Sequence, residues 1–353
     1  MALTAEERRA RILDAVRELG TVRVVDLAER LGLAAVTVRR DIAALSDNGL
    51  LHRSHGAVSL PRAAATPAPA PTGRDRVIGM LVPTVGSYFD EIIDGARAAA
   101  AAAGARLVLG IAPYGATEDR AQVEQLLESG VDGLLVTPNW TPEGPSGVGA
   151  WIGELSLPTV LVERRAPADS AGAGLDSVAS DHRHGVILAL RHLAGLGHGA
   201  VMLAARQDTW TAFQVRAGYA EGVRLLGLEP QPVIDIEHPG QDSEAVAERI
   251  AEGVAKGVRA VLVHNDQEAI QVVPILRARG LRVPEDVAMI SYDDVFAALA
   301  APPLTAVAPP KRAVGGAALE LLLRRLDSGD AGLPVHHVEL LPQLEIRASC
   351  GGG

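Results

Sequence analysis

Arg39 and Arg40 are two adjacent guanidinium groups in the string Thr37-Val38-Arg39-Arg40-Asp41-Ile42-Ala43-Ala44-Leu45. Guanidinium forks pair with phosphate oxygens or donate to a guanine edge, provided a rigid element holds them clear of the core. The spacing supplies that element. Val36, Ile42 and Leu45 recur on one helical face opposite the arginines, and Asn48-Gly49 stops the helix before the short apolar strand that begins at Leu50. Arg53 and His55 then fall in the hairpin that follows, where a wing meets phosphate. Two shorter helical patterns, 6–19 and 25–31, come first, and Thr4 with Glu7 three residues on reads as a capping box. Three helices and a hairpin make a winged helix-turn-helix, with Thr37, Arg39, Arg40, Arg53 and His55 as candidate DNA contacts. The blander alternative is a protein-docking module with a solvated arginine face.

A second group of side chains suits a different chemistry. The chain has ten aromatic residues, and Tyr88, Phe89, Tyr114, Trp140, Trp210, Phe213, Tyr292 and Phe296 all follow predicted strands. Groups able to grip hydroxyls share these positions: Glu163-Arg164, Arg216, Asn265-Asp266 and Asp293-Asp294. Ring faces with a few converging carboxylates, amides and guanidiniums fit a sugar or polyol. The competing reading is that the aromatics pack against helix starts and the charged residues cap those helices.

The elements that must position these groups are legible as short apolar runs alternating with amphipathic stretches. Runs at 77–82, 107–111, 134–136, 160–162, 201–203, 260–263 and 287–290 read as strands, with helices at 91–103 and 118–127 between the first of them. Strands this apolar, each followed by a helix, are parallel and covered on both faces. The expected fold is α/β: a winged helix-turn-helix followed by a two-lobed doubly wound parallel sheet. Ligands bind such sheets at the carboxyl ends of the strands, where the second group lies.

Composition narrows the possibilities. Residues 1–60 hold nine Arg against eight acids, a balance of +1, which leaves −11 for the rest of a chain whose net charge is −10. A near-neutral head on an acidic body leans on oriented contacts or on dimerisation, and argues against a long nucleic-acid track or an anionic membrane surface. Residues 61–75, PRAAATPAPAPTGRD, have no apolar periodicity and read as a semi-rigid linker. The first residues lack the apolar core of a signal peptide, and no run reaches the roughly 18 apolar residues of a membrane span. The single cysteine, Cys350, excludes an intrachain disulfide and fits the cytosol. Domains are therefore expected at 1–60, 61–75 and 76–353.

Two family resemblances rest on these residues. Residues 8–60 resemble the DeoR regulators through Arg11-Ile12-Leu13, Val25-Asp26-Leu27-Ala28, Thr37-Val38-Arg39-Arg40-Asp41 and Arg53-Ser54-His55-Gly56-Ala57. Ala34 stands where that family usually carries a capping Ser, a change costing about 1 kcal/mol of helix stability. Residues 76–350 resemble the LacI-family sensor, similar in fold to type 1 periplasmic sugar-binding proteins. The matching strings include Ser87-Tyr88-Phe89, Ile93-Asp94-Gly95, Val131-Asp132-Gly133, Arg216-Ala217-Gly218-Tyr219, Asn265-Asp266-Gln267-Glu268, Tyr292-Asp293-Asp294 and Pro302-Pro303-Leu304-Thr305. The resemblance implies effector contacts at Tyr88, Phe89, Arg216, Asn265 and Asp293, with Glu163-Arg164 as the family's Asp-Arg at the crossover, and the strand-end aromatics add Trp210 as a candidate contact. It also implies lobes of about 76–163 with 309–328, and about 172–303 with 335–348. Glu163 is a methylene longer than the usual Asp, and Pro309 replaces a common Gln. A Pro/Ala linker stands in place of the LacI hinge helix.

Catalytic motifs are absent: there is no Gly-x-Ser-x-Gly elbow, Gly-x-x-x-x-Gly-Lys loop or His-Glu-x-x-His pair. Asp181-His182-Arg183-His184 reads as a capped first turn, and no cofactor or metal is expected. The sequence thus points to a cytoplasmic, ligand-responsive regulator, a repressor rather than an enzyme. As a homodimer it would bind operator DNA through its head and a sugar or polyol through its sensor. The alternatives are a sugar-binding transport component or an α/β sugar-acting enzyme with a non-functional head.

Overall fold

The computed structural model describes residues 76–86, 88–114, 119–140, 150–329 and 332–351, and before them 8–9, 11–12, 15, 22–23, 27–28, 30, 35–47, 52–54 and 57–59. The chain forms two compact units, 1–72 and 73–353. In the first, helix α1 (Ala35–Asp47) accompanies a small antiparallel sheet ordered β1 (Val22–Arg23), β3 (Ala57–Ser59), β2 (His52–Ser54). The described parts of the two expected preceding helices are helical. Their Ile12, Ala15, Leu27 and Ala28 are buried, as are Val38, Ile42 and Leu45 of α1. Asp41 is buried as well and accepts from Arg8 Nε at 2.9 Å and Arg9 Nε at 3.4 Å. It therefore braces α1 against the first helix.

The second unit contains two six-stranded sheets. The first, lobe 1, runs β14 (His337–Leu340), β8 (Asp176–Ser180), β7 (Thr159–Val162), β6 (Gly133–Val136), β4 (Val77–Val82), β5 (Arg106–Ile111), all parallel. Helices α2 (Tyr88–Ala102), α3 (Asp119–Glu128) and α8 (Lys311–Ser328) cover it. The second, lobe 2, runs β10 (Ile234–Ile236), β9 (Met202–Arg206), β11 (Ala260–His264), β12 (Ala288–Tyr292), β13 (Thr305–Ala308), β15 (Gln343–Glu345), with only the last pair antiparallel. Its faces carry α4 (His182–Gly195) with α5 (Trp210–Leu226), and α6 (Ser243–Ala255) with α7 (Asp266–Ala278). Every residue of β6, β7, β11 and β12 is buried, as parallel strands between helix layers must be. Gly95 of α2 and Gly315 of α8 let those helices touch backbone to backbone, since a Cβ at either would collide with the other's carbonyl, of Arg312 or of Ile92.

The lobe limits need correction. Asp176–Ser180 and His337–Leu340, expected in the second lobe, pair within the first sheet. Asp-Ser-Val-Ala-Ser is too polar to look like a buried strand, and tertiary contacts make it one. Buried Asp176 accepts from Arg325 Nε and Nη2 at 2.5 and 2.8 Å and from the His336 amide at 2.6 Å, which staples β8 to α8 and to the start of β14. The chain consequently crosses between lobes after β8, after β13 and after β14. His182, not Glu163-Arg164, sits at the first crossing.

Candidate functional site

Side chains from both lobes meet where the strands end. Lobe 1 contributes Tyr88 at the start of α2, Tyr114 after β5, Trp140 after β6 and Glu163 after β7; lobe 2 contributes Trp210, Asn265 and Asp293 after β9, β11 and β12. Trp210, the first residue of α5, packs against the lobe 1 cluster that contains Trp140, Leu161 and Ala166, so the two lobes touch across the cleft. Glu163, Asp293 and Asp294 have φ of 53°, 88° and 51°, a left-handed conformation that costs a residue with a Cβ about 1–3 kcal/mol and clusters at ligand sites.

Asp293 is the best-placed acceptor. It is 5% exposed, its Oδ2 accepts from Asn265 Nδ2 at 3.0 Å, and its Oδ1 has no partner among the described residues. Burial, reinforced by the nearby Asp266 carboxylate, pushes the Asp293 carboxyl up to about 6 against the pull of Asn265. Asp266 is itself fully buried, with its Oδ2 accepting from the Val295, Phe296 and Ala297 amides at 2.7, 2.5 and 3.1 Å. That carboxylate fixes the loop after Asp293. Lys311, 4% exposed, donates to the Asp293 carbonyl at 2.6 Å.

Arg216 is half-buried beside this group as a brace. Its Nε donates to the Arg206 carbonyl at 2.8 Å, and its Nη2 to the Ala205 carbonyl and Asp235 Oδ1 at 2.6 and 2.7 Å, tying together the ends of β9 and β10. Arg206 in turn forks onto Asp208 at 2.9 and 2.7 Å. Trp210 is half-buried and lines a cavity of about 530 Å³ with Glu163, Arg165, Ser180, His182 and Arg183.

Three expected contacts are almost fully enclosed, although Glu163 also lines the cavity. Phe89 is 2% exposed and belongs to the lobe 1 core, because the turn that brings Tyr88 to the cleft rotates its neighbour inward. Arg164 is 1% exposed, with Nε on the Pro138 carbonyl at 3.0 Å and Nη1 on the Glu163 carbonyl at 2.7 Å. Glu163 is 1% exposed; its Oε1 accepts from Tyr88 Oη and Ser180 Oγ at 2.9 and 2.8 Å, and its Oε2 from the Ser180 amide at 3.0 Å. Burial alone would raise its carboxyl, but His182 and the two Ser180 donors outweigh burial and hold it down to about 2.

After β6 sequence reasoning marks Trp140 and misses Thr137 and Asn139. Thr137 Oγ1, Asn139 Oδ1 and Trp140 Nε1 are buried and lack partners among the described residues, while Asn139 Nδ2 is fixed on the Ala112 carbonyl and Asp119 at 2.6 and 3.0 Å. The one signal for those two is their place within three residues of the end of Leu134-Leu135-Val136. Asp181 caps α4 through the His184 amide at 2.9 Å, as expected, whereas His182 is 3% exposed and joins the polar network. In the first unit Arg40 is exposed, Thr37 half-buried and Arg53 lies in β2; His55, Ala34, Thr4 with Glu7 and the linker lie outside the described residues. Among the described residues no group of His, Cys, Asp and Glu is arranged to hold a metal, and no helix is long and apolar enough to cross a membrane.

A helix-turn-helix unit joined to a two-lobed parallel-sheet body with a strand-end cleft defines a ligand-responsive transcriptional repressor. Comparison with known proteins agrees. Residues 8–63 match the DeoR-like helix-turn-helix domain, and residues 190–350 the periplasmic binding protein-like domain. The HTH-type transcriptional repressor PurR of Vibrio cholerae is 30% identical over 260 residues, covering 71% of this chain and 74% of that protein. The arabinose metabolism transcriptional repressor of Geobacillus stearothermophilus is 22% identical over 92% of this chain and 89% of its own length. Among solved structures, a LacI family transcriptional regulator from Enterococcus faecium with bound ribose superposes with a TM-score of 0.64 at 20% identity, over 78% of this chain and 98% of that one. The chain belongs to the LacI family of transcriptional regulators and carries a DeoR-like head. These relatives are regulators and not enzymes.

Proposed function

We propose that the effector is a small sugar or polyol held between the lobes, and that it governs the binding of a homodimer to operator DNA. The observation that carries the reading is the Asn265–Asp293 pair, with its unpartnered buried Asp293 Oδ1 close enough to Tyr88 to act on its hydroxyl. Paired acceptors and amides between aromatic faces fit vicinal hydroxyls on an apolar ring. Tyr88, Trp210, Asn265 and Asp293 would touch the effector, and Arg216 would brace them. The names of an arabinose repressor and of a ribose-bound regulator among its relatives point the same way.

A dimer is supported by apolar surface on both lobes. Leu299 is 81% exposed beside Phe296 and Ile270 on lobe 2, and Leu109 and Ile111 of edge strand β5 are 42% and 41% exposed on lobe 1. Burying both patches against a second copy would let lobe closure reset the spacing of paired heads, whose Arg39, Arg40, Arg53 and His55 would contact operator half-sites. A thermal-shift screen of the full-length protein against free pentoses, hexoses and polyols tests the reading. At least one compound should raise the melting temperature in a saturable manner. A panel without any effect contradicts the sugar assignment.

A further inference from the structure

Five side chains and one backbone carbonyl form a closed circuit through both lobes. Tyr88 of lobe 1 donates to Glu163 Oε1 at 2.9 Å, and Glu163 Oε2 lies 3.4 Å from His182 Nε2, at the first crossing into lobe 2. The other ring nitrogen of His182 is 3.1 Å from Tyr292 Oη at the end of β12. The next residue, Asp293, accepts through its carbonyl from Lys311, whose ammonium sits 5.6 Å over the Tyr88 ring and 3.3 Å from Glu91 of α2. Glu163, His182, Tyr292, Asp293 and Lys311 are each no more than 5% exposed.

Neither lobe holds this circuit alone. Glu163 and Tyr88 belong to lobe 1, Tyr292 and Asp293 to lobe 2, and His182 and Lys311 sit where the chain passes between them. Opening the lobes would stretch the Glu163–His182 contact, and a buried carboxylate pulled away from its partner is left without compensation. Three hydrogen-bond donors and the His182 ring nitrogen at 3.4 Å already crowd the two Glu163 oxygens, so this carboxylate is committed to partners inside the protein. The extra methylene of Glu over Asp is what lets the carboxylate span Tyr88, Ser180 and His182 together.

We propose that Glu163 and His182 are positioning residues of the effector cleft: paired across the crossing, they hold the lobes closed and Tyr88 in place without touching the effector. The proposal rests on the cleft being the effector site. It differs from a contact role in a measurable way. A positioning pair changes the fraction of molecules in the binding-competent state, so every ligand's apparent affinity scales by one common factor. A contact residue instead changes the ratio between epimers.

The test uses the full-length protein with nitroxide labels at two exposed sites, Glu128→Cys on α3 and Lys256→Cys after α6, the native Cys350 being buried. Pulsed electron spin resonance without ligand should give one short distance in the parent, with Glu163→Gln and His182→Asn each moving population to a longer distance. Distributions that superimpose on the parent in both variants overturn the proposal. If Glu163→Gln does not melt cooperatively, His182→Asn and Tyr88→Phe carry the same measurement. A second arm titrates the C2 epimers D-ribose and D-arabinose and the C4 epimers D-glucose and D-galactose. Glu163→Gln should weaken every binder by the same factor, roughly tenfold; an epimer-dependent loss makes Glu163 a contact and overturns the proposal. If none of the four binds the parent, the effector reading suffers, and the distance measurement still decides on the pair.

Discussion

The Asn265 amide and the Asp293 carboxylate meet at 3.0 Å across the ends of adjacent strands β11 and β12. This contact uses one Asp293 oxygen and orients the other, which is buried without a partner among the described residues. An acceptor held in this way costs stability in the empty protein and repays it when a hydroxyl arrives. Asp293→Ala and Asn265→Ala should each weaken effector binding by about 1–3 kcal/mol. Calorimetry showing unchanged affinity in Asp293→Ala would remove that residue from the site.

The Asp293 carboxyl also sets a pH dependence. Its folded value, pushed up to about 6, lies above the ordinary carboxylate range. A raised acid adds stability that is fully present below its unfolded value and is lost as pH rises through about 6. Asp293→Asn removes that loss, so the empty variant should gain on the parent between pH 4 and 8, by at most about 3 kcal/mol. Melting temperatures recorded across this range should diverge with rising pH; parallel curves would contradict the assignment.

Much of the fold is legible in the chain itself. The apolar runs mark β4, β6, β7, β11 and β12 because parallel strands buried on both faces are continuous hydrophobic strings. Strand β8 is not legible, since Asp176 and its neighbours become a strand only through Arg325 and His336, residues distant in sequence. The same limit governs the site. Asn265 and Asp293 follow strands and can be placed by topology, whereas the inward turn of Phe89 and the saturation of Glu163 depend on which side chains fold back onto them. Lys311 gives no signal, because a lysine at a helix start usually reads as solvated surface.

In the head, the buried face of Val38, Ile42 and Leu45 leaves Arg40 exposed, and the sequence assigns Arg39 to the same DNA-facing role. Arg39→Ala combined with Arg40→Ala should abolish specific gel shifts while leaving the melting temperature of the sensor unchanged. Normal operator binding by the double variant would refute the helix assignment.

The linker can be tested apart from head and sensor. Fifteen residues, 61–75, extended at about 3.1 Å each, would span roughly 45 Å as a semi-rigid spacer. Replacing them by Gly and Ser of equal length should leave sugar affinity intact and shrink the effector-dependent change in operator affinity. A fully preserved response would reduce the segment to a tether.

On this reading, one small molecule in the cleft controls the grip of the head on DNA. This control is tested most directly by fluorescence anisotropy of labelled operator with the full-length protein, with and without a saturating amount of the sugar that raises its melting temperature. The operator Kd should change by roughly 5–150-fold, the usual range of coupling between two linked sites. A sugar that binds the sensor and leaves the operator Kd unchanged would contradict it.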